Sequence, residues 1–159
     1  MQFKIVTVGR MRKSYLRTGI AEYQKWLQPY ASVQLVDVAQ ELVSPRATPA
    51  QITQAKLLEG ERLLRASAGD AFVIALDMGG KQLSSAGFAD LVQDIARHGQ
   101  TRASFLIGGA DGLAPNVLQR ADFIWSLSKL TFPHEFVPLL VCEQLFRAFK
   151  ILRGEPYHR

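Results

Sequence analysis

Cysteine is almost missing from this sequence. Cys142 is the only one in 159 residues, so no disulfide can form within the chain. In "LLVCEQLF" it is flanked by apolar residues, and no nearby histidine is evident to lower its pKa; the pattern fits a small buried hydrophobe. Histidine is scarce as well, with three in all. No set of Cys, His and carboxylate residues has metal-ligand spacing, so no metal is expected. No apolar run approaches the ~20 residues of a membrane span. The start, "MQFKIVTVGRMRK", has too short an apolar core for a secretory signal and no small-residue cleavage site after it. A soluble cytoplasmic protein is expected. Internal repeats and low-complexity segments are also absent.

Hydrophobic residues make up 48% of the chain. That suits one compact domain over residues 1–159, which at this size buries about two-thirds of its unfolded surface. The net charge is +5, and it is unevenly spread. Residues 1–30 hold Lys4, Arg10, Arg12, Lys13, Arg17 and Lys25 against Glu22 alone, while the rest of the chain is balanced. The excess is densest in "GRMRKSYLR". A localised basic patch fits a polyanionic partner, with RNA the first candidate; a solvated loop that keeps a basic protein soluble fits equally well.

Strand and helix patterns alternate. "QFKIVTVG" is rich in β-branched residues and ends in glycine. "SYLRTGIAEYQKWLQPY" spaces Leu16, Ile20, Tyr23 and Leu27 as a helix does, with Pro29 marking its end. "SVQLVDV" is a second strand, and "AQELVSPRATPA" a loop. Thr48 then predicts an N-cap with Pro49 at the first helical position. In that helix Ile52, Leu57 or Leu58, and Leu64 form the apolar side. "DAFVIALD" predicts a strand buried on both faces, and "MGGKQLSS" a loop. A helix over "AGFADLVQDIARHG", the strand "ASFLIGG", a short helix near "APNVLQRAD" and the strand "FIWSLS" follow. His98 marks a helix C-terminus. A long helix from about Pro133 to Arg153 and the tail "GEPYHR" close the chain, with His134 a capping or loop residue at the helix start. This alternation predicts an α/β fold, a mostly parallel sheet with helices on both faces. Ligands of such sheets sit at the carboxyl ends of the strands. The loops "DMGGK", "GGADG" and "SLSKLTFPH" share that edge.

The glycine loop matches neither common phosphate motif. Gly108-Gly109-Ala110-Asp111-Gly112 lacks the G-x-G-x-x-G order, and Gly112-Leu113 stands where a P-loop needs Lys. Its one charged residue, Asp111, is an anion and disfavours a phosphate. A cationic or neutral ligand fits better; a tight turn with positive φ at glycine is the alternative.

Three motifs in order, "IGGADGL", "SLSKLTFPHEF" and "LFRAFKILRGEPYHR", resemble the signature of the RlmH family, methyltransferases of the knotted α/β (SPOUT) class. "VGRMR", "EYQKWL" and "ALDMGGK" extend the resemblance over almost the whole chain. It implies a C-terminal trefoil knot over roughly residues 103–159, which no pattern rule would predict. It implies a homodimer that binds S-adenosylmethionine in the knot. The implied activity is methylation of N3 of a pseudouridine in a hairpin loop of 23S rRNA, on assembled 70S ribosomes, with no DNA partner. Carried over by position, the cofactor contacts are Leu76, Gly108, Leu127, Ser128, Lys129, Leu130, Thr131 and Phe132. An apolar slot with backbone groups suits adenine. Lys129 itself is expected to face solvent or RNA rather than the sulfonium.

The resemblance also directs attention to Arg147, Tyr157 and His158. Glu143 and Arg147 stand at i, i+4, an ordinary helix pair, while the family's matching arginine lies near the RNA, where a guanidinium clamps a phosphate. Tyr157 offers a stacking surface for a base. The N3 proton of a uracil-like ring must be removed or strongly hydrogen-bonded as methyl transfer proceeds. Imidazoles titrate near neutrality, so His158 is the expected general base. Pro138 stands where the family pattern has a basic residue: either the last helix begins nearer Val137 or it is kinked there. Two further classes of function are a catalytically silent RNA- or ribosome-binding protein on the same fold, and a phosphate-binding enzyme, which Asp111 disfavours.

Overall fold

The structure, a computed structural model, describes residues 1–70 and 72–158. Ala71 of the expected third strand and Arg159 of the tail lie outside the described residues. Among the described residues, five strands, β1 (Gln2–Val8), β2 (Ser32–Val38), β3 (Phe72–Gln82), β4 (Arg102–Ile107) and β5 (Phe123–Ser126), form one sheet in the order β2-β1-β4-β3-β5. Every pairing is parallel. Helices α1 (Ser14–Leu27), α2 (Pro49–Ala66), α3 (Ser85–Arg97), α4 (Pro115–Arg120) and α5 (Val137–Leu152) cover it. Two separate apolar clusters show that both faces are used. One centres on Phe105, with α1, α3 and α5 over it. The other joins Val6, Val73 and Leu106 to Leu63 of α2 and Val117 of α4. The continuous apolar runs of β1, β3 and β4 follow from this two-sided burial.

Local chemistry sets the helix ends. The Thr48 hydroxyl accepts from the Gln51 amide at 3.3 Å while the Gln51 side chain accepts from the Thr48 amide at 2.8 Å, a reciprocal capping box. Pro138 lies in the first turn of α5, where its missing N–H costs no hydrogen bond. The helix starts at Val137 after a 3-10 turn, His134–Phe136. His98 is the C-cap of α3.

Two expectations need correction. The segment "MGGKQ" is not a loop after β3 but part of it, since β3 runs to Gln82. Leu76 and Lys81 both pair with Trp125, so the register breaks between them and resumes. An added Cβ on Gly80 would stand 2.6 Å from the Ile124 carbonyl oxygen, so this glycine lets the two main chains close up. The buried side of α2 is Ala55, Glu59, Gly60 and Leu63 rather than the leucine-isoleucine stripe. The small residues let α4 approach: Gly60 faces Asn116, Val117 and Ala114.

The amino edge of the sheet is closed by a buried carboxylate. Asp70 pairs with Lys4 Nζ at 3.1 Å and accepts from the Ser104 hydroxyl. Near the centre, the fully buried Phe105 packs among Phe3, Phe88 and Trp125, and Phe88 stacks on Trp125 with centroids 4.3 Å apart. Phe105→Ala removes a ring that touches both α3 and β5. It is expected to destabilise the fold by about 3–5 kcal/mol, measured by urea unfolding; a loss under about 1 kcal/mol would show that this cluster does not anchor the sheet.

Candidate active site

The carboxyl ends of β3, β4 and β5 surround a cavity of about 170 Å³. Its position follows from the strand order, since the three neighbouring strands deliver their following loops to one place. Leu76, Gly108, Leu127, Ser128, Leu130, Thr131 and Phe132, seven of the eight expected cofactor positions, line it. Lys129 is exposed and not among the lining residues. The loop after β5 is held by its own serines. The Ser126 hydroxyl donates to the Ser128 carbonyl at 3.1 Å, and the Ser128 hydroxyl accepts from the Leu130 amide at 3.0 Å. Thr131 donates to the Met78 thioether at 3.6 Å, joining this loop to β3.

The glycine loop is a tight turn. The Gly112 amide donates to the Gly109 carbonyl at 3.1 Å, and Gly112 has φ of +79°. A Cβ on Gly108 would stand 2.6 Å from the Gly112 carbonyl carbon. The glycines therefore let the chain pack on itself, and by doing so they present Gly108 and Gly109 main chain to the cavity.

Among the other lining residues, three that were not among the expected cofactor positions add distinct chemistry. Asp77 brings the lining's one carboxylate, His134 an imidazole, and Trp125 a ring whose indole N–H has no partner among the described residues. Asp77 lies in "ALDMGGK", so its signal was present. No lysine or arginine lines the cavity among the described residues. A site with apolar walls, main-chain polar groups and one carboxylate favours a neutral or cationic ligand over a pyrophosphate.

Behind the glycine turn stands Glu59, 7% exposed. Its carboxylate accepts from the Glu41 amide at 2.9 Å and lies against Gly109. Burial pushes its pKa up, and the charges of Asp111 and Glu41 add to the rise.

Arg147, Tyr157 and His158 form a second cluster away from the cavity. Arg147 grips Glu143 Oε1 through Nε at 3.0 Å and Nη2 at 2.6 Å. Its guanidinium lies 4.8 Å from the Tyr157 ring centroid, and Nη1 is 3.4 Å from His158 Nδ1. The Tyr157 hydroxyl is 3.3 Å from those of Tyr23 and Glu143 Oε1, and its ring packs on Phe146. The tail is docked through His158. Desolvation first, then Tyr23 and Glu143, raise the Tyr157 pKa, so the phenol stays protonated. Val137 lines the cavity and Arg147 is ten residues further along α5, about 15 Å of helix rise away. A single chain thus holds the expected cofactor and tail residues in two places. Cys142 is buried, and burial pushes its thiol up to about 12, which suits packing and not nucleophilic attack.

A parallel α/β sheet with a ligand cavity over the ends of three adjacent strands, lined by no lysine or arginine among the described residues, defines a small-molecule-binding α/β protein. A family model described as "Predicted SPOUT methyltransferase" matches residues 1–158. The chain belongs to that family, and within it to the proteins named Ribosomal RNA large subunit methyltransferase H. The protein of that name from Carboxydothermus hydrogenoformans is 45% identical over 159 residues, and that from Symbiobacterium thermophilum 47% identical over 161, each match covering all of both chains. The crystal structure of a tRNA methyltransferase from Aquifex aeolicus has the same fold, with a TM-score of 0.58 over 100% of this chain and 77% of that one, at 16% identity.

Two predictions concern the wall of the site. Gly112→Ala is expected to cost about 1–2 kcal/mol through its positive φ. Gly108→Ala, which must move main chain, is expected to cost more; equal thermal stability of the two variants would contradict the close approach. Glu59 has a raised pKa in the folded state, so the fold binds more protons than the unfolded chain just above the ordinary carboxylate value. Its contribution to stability falls as pH rises through that window. Glu59→Gln keeps an acceptor for the Glu41 amide and removes the buried charge. It is expected to raise Tm at neutral pH and to flatten the fall above the ordinary carboxylate range, as read by calorimetry at a series of pH values.

Proposed function

We propose that this protein transfers a methyl group from S-adenosylmethionine to N3 of a pseudouridine in large-subunit rRNA, acting as a homodimer on the assembled ribosome. The observation that carries this is the cavity of a SPOUT-family chain, lined by seven of the eight expected positions and free of lysine and arginine among the described residues. Leu76, Ile107 and Leu127 give apolar walls for an adenine. The main chain of Gly108 and of the loop after β5 offers hydrogen bonds, and Asp77 is the carboxylate suited to an amine or sulfonium. When bound, S-adenosylmethionine supplies a methyl group activated by positively charged sulfur. This reading includes a C-terminal knot over roughly residues 103–159; the packing of α5 against α1 and α3 supports it.

The chain's own part is to hold the base and take its proton. Tyr157 stays a neutral phenol, so it donates or stacks. His158 accepts the N3 proton, which leaves nitrogen free to bond the methyl carbon as the carbon–sulfur bond breaks. Arg147 and Glu143 position the tail. Because the tail of a chain is docked about 15 Å along α5 from that chain's cavity, the tail of one subunit completes the cavity of the other.

Labelled-methyl transfer to ribosomes lacking the modification tests this, with separated subunits and free rRNA alongside. Label in the pseudouridine hairpin of the large-subunit RNA, on ribosomes and much less on free rRNA, is expected. Equal labelling of free rRNA would remove the assembled substrate, and no label with cofactor bound would remove the RNA target. His158→Ala is expected to lower the rate about 100-fold or more with cofactor affinity unchanged; a wild-type rate with saturating ribosomes would remove it as base. Thr131→Lys puts a cation on the exposed lining loop. It is expected to weaken cofactor binding at least about tenfold in calorimetry with Tm unchanged.

A further inference from the structure

The basic excess of the first thirty residues is placed by the fold beside the mouth of the cavity. The loop between β1 and α1 leaves the carboxyl edge of the sheet at Gly9, and Met11 pins it by burying its side chain in the core. It then meets the 3-10 turn that precedes α5. The Arg12 amide donates to Glu135 Oε1 at 3.2 Å, and Tyr15 stands edge-on to Phe136 with centroids 6.2 Å apart. The neighbours of those two contacts, His134 and Val137, line the cavity. The basic loop and the cavity are therefore the two sides of one short turn.

What the loop exposes is specific. Arg10, Arg12, Lys13 and Arg17 are all exposed, and none makes a salt bridge or a side-chain hydrogen bond among the described residues. Elsewhere cations are often engaged: Arg62, Arg120, Arg147 and Lys150 are tied to carboxylates. Glu135, beside the loop, accepts from the Arg12 main chain, and among the described residues it pairs with no side-chain cation. Tyr15 is 59% exposed in the midst of these charges. Free guanidinium groups that flank an exposed ring are the chemistry of a nucleic-acid surface, phosphates on the cations and a base on the ring.

We propose that Arg10, Arg12, Lys13 and Arg17, with Tyr15 as a stacking platform, form the surface that docks the rRNA backbone next to the cavity. The proposal rests on the rRNA reading above and adds where the RNA sits. The cations bind phosphate without reading sequence, so they set affinity and salt dependence. Tyr15 stacks on an unpaired base of a loop.

The test uses wild type, the variant Arg10→Gln/Arg12→Gln/Lys13→Gln/Arg17→Gln, and a control with the same charge loss elsewhere, Lys56→Gln/Arg65→Gln/Arg97→Gln/Arg102→Gln. S-adenosylmethionine affinity, sedimentation, and kcat and KM for ribosomes are measured over a range of salt. The loop variant is expected to keep wild-type cofactor affinity and dimer size, to raise KM for ribosomes about tenfold or more, and to reduce the slope of log KM against log salt by about 3. The control is expected to change KM much less. Tyr15→Ala is expected to raise KM and Tyr15→Trp to restore it. Equal effects of the two charge variants would overturn the proposal, because net charge alone would then matter. Dissociation of the loop variant into monomers would overturn it in favour of an interface between copies. A wild-type enzyme without activity on ribosomes would instead remove the rRNA reading itself.

Discussion

Main chain meets main chain at two glycines, and the site is built around those meetings. At Gly80 the strand β3 comes against the carbonyl of Ile124 in β5, and at Gly108 the end of β4 comes against Gly112. Any side chain would hold the segments apart. With the approach permitted, a strand of four residues, β5, docks against a broken β3, and the glycine turn folds back over the end of β4. Three loops then converge, and Gly108, Gly109 and Gly112 bring main chain alone to the cavity. The stack of Phe88 on Trp125 fixes β5 from below.

The chain separates its charges by task. The cavity carries one carboxylate and, among the described residues, no lysine or arginine, which suits a ligand that brings its own positive charge. Cations stand outside: among the described residues, one group is unpaired on the loop after β1 and another is tied into the tail cluster. There Arg147 is held by Glu143 on one side and by the ring of Tyr157 on the other. The raised pKa of Tyr157 leaves that residue a donor, and Glu143 accepts from it and from Arg147 in the cluster. Chemistry at N3 of a uracil-like ring needs both a charged methyl donor and a proton acceptor. On the proposed reading, the residues for these two requirements lie in different places on one subunit, which is the physical argument for a composite site.

Strand identity was legible because strands buried on both faces read as continuous apolar runs, and Thr48-Pro49 announced a helix start through cap chemistry. The sheet edge that carries the site followed from the alternation of strands and helices. The extension of β3 to Gln82 was not legible: Gly79 and Gly80 read as a turn, and only the distant β5 turns them into strand. The buried side of α2 was also hidden, because Gly60 and Ala55 are chosen for the approach of α4 and not for hydrophobicity. Seven lining positions came from resemblance in motif, whereas Trp125 and His134 reach the cavity by tertiary placement. The docking of Tyr157 on Tyr23 and Glu143 joins residues far apart in sequence, and nothing local in "PYHR" encodes it.

The most direct test of the composite site is a dimer in which one subunit carries Thr131→Lys and the other His158→Ala, purified through two different tags. One cavity is then intact and one tail is intact, on different chains. A site shared between subunits predicts methyl transfer at about half the wild-type rate, since one of two equivalent sites survives. A heterodimer no more active than either single-variant homodimer would contradict the account and place the tail in its own subunit's cavity.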